Sequence, residues 1–99
     1  MELLILARAE AEVLENQARL EDLTPGLGDR FSVRVEEALD RILDFPESGP
    51  VYSGAFRRLL VRDFPFGIFY SLEGRRAVVQ ALLDLRQDPR SIHRRLGLE

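Results

Sequence analysis

Between Phe56 and Arg86 apolar and polar residues alternate with a period of two over three short runs, the strongest pattern in the chain. Side chains along a strand point to opposite faces in turn, so Leu59 and Val61 fall on one side and Arg58 and Arg62 on the other. Phe64-Pro65 and Glu73-Gly74 separate the runs. Proline cannot donate to a ladder, and glycine accepts the positive φ of a tight hairpin. The pattern predicts a three-stranded antiparallel meander with one apolar face and one face bearing guanidinium groups.

Upstream, Leu3 to Leu6 within Met1–Ala7 is a short apolar run that fits a strand joining the meander. From Arg8 to Leu23 the residues are good helix formers, with one stripe at Ala7, Ala11, Leu14 and Ala18 and a second at Leu6, Val13 and Leu20. That predicts a helix covered on two sides, by the sheet and by the next helix. Thr24-Pro25-Gly26-Leu27-Gly28-Asp29 breaks the pattern and offers Thr24 and Asp29 as N-caps. A second helix then carries Phe31, Val35, Ala38, Leu39, Ile42 and Phe45 inward and Arg34, Glu37, Arg41 and Asp44 outward, and Phe45-Pro46 ends it. Glu47 to Pro50 reads as a loop into the meander, and Tyr52, just beyond it, is also read as a loop residue. Asp88-Pro89 opens a short last helix with Ile92, His93 and Leu96, stopped by Gly97. The expected fold is a single α+β domain over residues 1–99. It has an antiparallel sheet made of a short N-terminal strand plus a three-stranded C-terminal meander, a two-helix hairpin on one face, and a short C-terminal helix.

Composition narrows the chemistry. There is no cysteine, which removes disulfides, thiolate nucleophiles and thiolate metal sites, and every one of the 14 basic residues is arginine, which removes a lysine base. The net charge of −3 conceals a division: Met1–Pro50 holds 12 acidic residues against 5 arginines, Val51–Glu99 5 against 9. The half with the strands is basic, which points to an anionic partner. The apolar start is too short to cross a bilayer and a charged helix follows it, so a cytoplasmic protein with no membrane association is expected. No Gly-rich phosphate loop, zinc-ligand spacing or Ser-His-Asp arrangement occurs, and no metal or other cofactor is expected. Tyr70 alternates with Ile68 and Leu72 and belongs to the core face. His93, the one imidazole, lies on the short last helix among arginines and is the side chain suited to accept a proton near neutral pH.

The run Val33 to Ile42, then Phe45-Pro46-Glu47-Ser48-Gly49-Pro50, then Arg57 to Tyr70, with Leu82-Leu83-Asp84-Leu85-Arg86-Gln87-Asp88-Pro89 at the end, resembles the RelE/ParE superfamily of toxins from bacterial type II toxin–antitoxin modules, a family associated with plasmid stabilisation. The resemblance covers nearly the whole chain. It implies a growth-inhibiting toxin held in a hetero-oligomer by a cognate antitoxin. ParE-like members poison DNA gyrase, and RelE-like members cleave ribosome-bound mRNA. In the nuclease reading the resemblance carries Arg62 and Arg86 over as transition-state stabilisers, with Asp84 or His93 moving the proton. This sequence departs from the nuclease pattern: Arg58 and Leu60 stand where lysines are usual, Asp84 where many relatives have histidine, and no tyrosine follows Tyr70. The ParE-like reading is therefore the nearer one, with Arg57, Arg58, Arg62, Arg86, Arg90, Arg94 and Arg95 as the surface for target or antitoxin. A metal-independent endoribonuclease and a non-catalytic binder of antitoxin or nucleic acid are the alternatives.

Overall fold

The structure, a computed structural model, describes residues 1–98. Its elements in chain order are β1 (Glu2–Ile5), α1 (Ala7–Leu23), α2 (Leu27–Asp44), β2 (Val51–Ser53), β3 (Phe56–Leu60), β4 (Phe66–Glu73), β5 (Arg76–Asp84) and α3 (Pro89–Leu96). The meander is present as β3, β4 and β5, with Gly74 at φ +62 in the last hairpin. Two features differ from the sequence expectation. β1 lies beside β5 and runs parallel to it, so the sheet is mixed, in the order β1-β5-β4-β3-β2. A strand's own apolar pattern does not encode its direction relative to a distant partner; the connection through the helical hairpin does. The second difference is β2, which pairs with β3 and takes Tyr52 out of the loop. Three residues following a proline carry too little alternation to be read as a strand.

Both faces of the sheet are covered. The α1–α2 hairpin packs on the face of Val61, Phe66, Ile68, Tyr70, Ala77, Val79 and Leu82, where Phe31 meets Phe64 and Phe66 edge-on at 5.3 and 5.2 Å. The expected guanidinium face is instead mostly apolar: Phe69, Ala81 and Leu83 lie under Ile92 and Leu96 of α3. A bulge makes this possible. Phe69 faces Ala81 but Tyr70 faces Val79, so Gln80 is extra, and the alternation along β5 changes phase there. Ala77 and Val79 point to the hairpin before the bulge and Leu82 after it, while Ala81 turns to α3.

Helix ends also depart from expectation. Neither Thr24 nor Asp29 caps α2; Gly26, at φ +87, precedes it, and the Glu21 carboxylate at the end of α1 accepts from Gly26 N–H at 2.9 Å and Gly28 N–H at 3.0 Å. One acidic side chain thus satisfies two of the orphan donors at that terminus. α3 begins as expected, with the Asp88 carboxylate accepting from Arg90 N–H at 2.9 Å and Pro89 in the first turn, and it ends at Gly97 with φ +73. α1 meets both β5 and α2, as expected, with Ala9 and Leu20 buried and Val13 half-buried, but the stripe at Ala7, Ala11, Leu14 and Ala18 is exposed and takes no part in that covering. Phe45 lies outside the core, under the Arg41 guanidinium at 5.8 Å.

Tyr70 is fully buried, as its alternation predicts, and its hydroxyl does more than pack. It donates to the Pro46 carbonyl at 2.7 Å and accepts from Gly49 N–H at 3.0 Å, tying the loop after α2 to the central strand. A Cβ at Gly49 would lie 2.8 Å from that oxygen, which is why glycine stands there. Tyr70→Phe leaves both loop groups unpaired and should lower stability by about 1–3 kcal/mol in urea unfolding. An unchanged midpoint would mean that the loop is not held by the phenol.

Candidate functional site

The arginines separate into those held by the fold and those free of it. Arg95, on α3, is committed internally. Its Nε and Nη2 donate to the two Glu12 oxygens at 2.9 Å each, Nη2 also reaches the Gln80 carbonyl at 3.0 Å, and Glu12 accepts from Leu82 N–H at 3.2 Å. The two side chains are only 15% and 16% exposed, so Arg95 is unavailable to an external anion. Arg57 Nη1 donates to the Gly49 and Glu47 carbonyls at 2.9 and 3.2 Å and braces the same loop as Tyr70. Arg86 and Arg90 are exposed but neutralised in place by Asp84 at 2.8 Å and Asp88 at 3.0 Å. Among the described residues Arg62 and Arg94 form no ion pair.

Arg62 opens the turn from β3 to β4, and the next residue, Asp63, sits at φ +70 with its carboxylate turned to Arg34 of α2. Arg34 Nε donates to Asp63 at 3.0 Å while Nη1 donates to Glu37 at 2.6 Å. These contacts raise the Arg34 pKa, the Glu37 hydrogen bond foremost, and they take away the Asp63 partner that Arg62 would otherwise have. Leu85 N–H donates to the Pro65 carbonyl at 2.8 Å, so Arg62 and Arg86 occupy the same end of the sheet. Between α2 and the β3 edge runs a cleft of about 580 Å³, whose lining includes Arg34, Ala38, Arg41, Arg58, Leu59, Leu60 and Arg62. Only Glu37 adds negative charge to that lining.

The residues expected to form a nuclease centre are not gathered at one point. Asp84 faces Phe66 across β4, on the hairpin side of the sheet, and is bound by Arg86 through side-chain bonds of 3.1 and 2.8 Å and a backbone bond of 2.9 Å. The hydrogen bond from Arg86 holds its carboxyl below the ordinary value, which makes it a poorer proton acceptor. His93 lies on the α3 side, its Nε2 in hydrogen-bond contact with Tyr52 Oη at 3.1 Å. Tyr52 in turn meets Phe69 edge-on at 5.1 Å and lies beneath the Arg58 guanidinium at 5.4 Å. Sequence reasoning missed Tyr52, Arg34 and Glu12 as partners. Glu12 was detectable as the one carboxylate within the Ala9, Val13 and Leu20 stripe of α1. Among the described residues no cluster of three or more histidine or acidic side chains is placed to hold a metal ion, and no helix is long and apolar enough to cross a membrane.

No protein-family model and no curated protein sequence matches the chain. Among solved structures, a chain of "Chromosomal ParDE TA system from P. aeruginosa" superposes with a TM-score of 0.77 at 14% identity, over 87% of this chain and 97% of that one. At that identity the likeness concerns the fold, which is the RelE/ParE-like fold that the sequence resemblance implied.

Removing Arg86 tests the electrostatic assignment of Asp84. In Arg86→Ala the Asp84 midpoint in an NMR pH titration should rise toward the ordinary carboxylate value. A depressed carboxyl stabilises the folded state above its unfolded pKa and loses that contribution as pH falls through the folded one. The variant should therefore begin acid unfolding at a higher pH than the parent. An unmoved Asp84 midpoint would assign the depression to another group.

Proposed function

We propose that this chain is the toxin of a type II toxin–antitoxin module, ParE-like in action: it inhibits bacterial growth by poisoning DNA gyrase and is held inactive by a cognate antitoxin in a hetero-oligomer. The observation that carries the toxin reading is the likeness in fold to a chain of a ParDE toxin–antitoxin structure over almost the whole of both chains. The ParE-like reading draws support from the locked Asp84–Arg86 pair, which sets a weakened base beside an already neutralised cation. Such a pair neither takes the proton of an attacking hydroxyl nor offers a free guanidinium to a phosphorane. Arg62 and Arg94 then serve as contacts to target or antitoxin, since they carry charge without an internal partner. No step in this reading calls for a cofactor, and the cytoplasm, where gyrase acts, is its compartment.

A metal-independent endoribonuclease is the second reading, favoured by the Tyr52–His93 contact beneath Arg58, which sets a phenol, an imidazole and a guanidinium side by side. Expression without antitoxin separates the two. The ParE-like reading predicts growth arrest, intact transcripts, and inhibited supercoiling by gyrase in the presence of the purified chain, with inhibition weakened at least several-fold in Arg62→Ala. Transcripts cut near codons, with the cuts lost in Arg62→Ala or His93→Ala, would establish the nuclease. Undisturbed growth would reduce the chain to a non-toxic binder.

A further inference from the structure

We propose that the outer edge of β1 is an interface at which a second copy of this chain pairs antiparallel, joining two five-stranded sheets into one. The hydrogen-bond phase of β1 carries the argument. Glu2 N–H donates to the Arg75 carbonyl at 2.9 Å and Leu6 N–H to the Val79 carbonyl at 3.1 Å. Alternate residues of a strand bond to the same neighbour, so Glu2, Leu4 and Leu6 turn their backbone groups to β5. Leu3 and Ile5 therefore turn theirs away from it. β1 is the last strand of the sheet on that side, and among the described residues no hydrogen bond reaches those two N–H and two C=O groups.

Edge strands are ordinarily blunted by charge, proline, a bulge or brevity. The opposite edge has such protection: β2 is three residues long, follows Pro50 and pairs with a shift of register. β1, at four residues, is nearly as short, but its one charge stands at its start, and Met1, Leu4 and Leu6 are 54%, 40% and 37% exposed. A two-fold axis at Leu4 fits these features together. It sets Leu3 of each copy against Ile5 of the other as hydrogen-bonded pairs, which fills every outward group. Leu4 then faces Leu4 of the second copy in a non-bonded pair, where opposed side chains stand closest. Glu2, exposed and without an ion pair among the described residues, comes opposite Leu6 of the second copy, two positions before that copy's exposed and equally unpaired Arg8. A strand from another protein could take the backbone bonds, but a second copy supplies the apolar and the charged match in one register, as an isologous contact does. Opposed residues of an antiparallel pair share a face, so both helical hairpins stay on one side of the joined sheet and both α3 helices on the other. The α2–β3 cleft lies toward the opposite edge, and the pair of chains therefore carries two such clefts, both open. The inference stands apart from the toxin reading.

Sedimentation equilibrium of the full chain should show a reversible equilibrium between monomer and dimer, with nothing larger. Leu4→Arg, which sets like charges face to face on the axis, should weaken the dimer at least tenfold and leave the circular dichroism spectrum unchanged. Leu4→Cys is an independent measure, because the chain has no cysteine of its own and a non-bonded antiparallel pair brings its Cα atoms to about 4.5 Å, within reach of a disulfide. That variant should oxidise to a covalent dimer, whereas Val51→Cys, exposed on the opposite edge, should not. In the cross-linked dimer the Leu3 and Ile5 amides should exchange with solvent several-fold more slowly than in the monomeric Leu4→Arg chain. A chain that is monomeric at its highest soluble concentration, a dimer that survives Leu4→Arg, a Leu4→Cys chain that stays uncrosslinked, or an open series of larger oligomers would each overturn the proposal. None of these results depends on toxicity or on gyrase, so the two readings fail separately.

Discussion

A single ion pair closes the fold where the sheet is incomplete. β1 leaves β5 after Val79, and the next two outward-facing groups of β5, the Gln80 carbonyl and the Leu82 N–H, have no strand beside them. The Glu12 carboxylate and the Arg95 guanidinium occupy that place, bonded to each other and one to each orphan group. Glu12 comes from the helix on one face and Arg95 from the helix on the other. Loss of either partner would strand the other charge in a partly buried setting, the situation that makes breaking such pairs expensive. The bulge, the edge and the seating of α3 are therefore one interdependent unit.

That unit also decides what the basic half of the chain can do. The second face of the sheet, which alternation suggested was open and cationic, is sealed by α3, and sealing it commits Arg95. Arg57 braces the loop below Tyr70, and Asp84 and Asp88 neutralise Arg86 and Arg90 where they stand. Of the arginines in this half, Arg58 and Arg62 at the α2–β3 cleft, Arg94 on α3, and Arg75 and Arg76 at the β4–β5 hairpin form no ion pair among the described residues. A count of arginines overstated the charge available to a partner.

Much of this was legible in the residues. The turn at Glu73-Gly74, the cap at Asp88 with Pro89, the stop at Gly97 and the burial of Tyr70 each follow from local chemistry, and local chemistry is what a sequence displays. The direction of β1 depends on a partner more than seventy positions away, and nothing in Glu2 to Ile5 records it. The bulge at Gln80 shifts the inward phase within an almost continuous apolar run, where period two carries no information. Glu21 caps α2 from the end of the preceding helix through a side chain that looks solvated there, and the partner of Glu12, Arg95, lies far along the chain, beyond any local window. The site suffered from the same limit. Arg62 was identifiable as a candidate, but its freedom depends on Asp63 turning to Arg34, and the Tyr52–His93 contact depends on a strand of three residues.

Hydrogen exchange at the Leu82 amide addresses the closing pair most directly, because that N–H is bonded to a carboxylate where its neighbours in β5 are bonded to another strand. The account predicts that in the intact protein it exchanges as slowly as the amides of the β4–β5 ladder, opening only with the unfolding of the domain. Exchange as fast as that of an exposed strand edge would contradict it, leaving the Glu12–Arg95 pair an ornament on a sheet that stands without it.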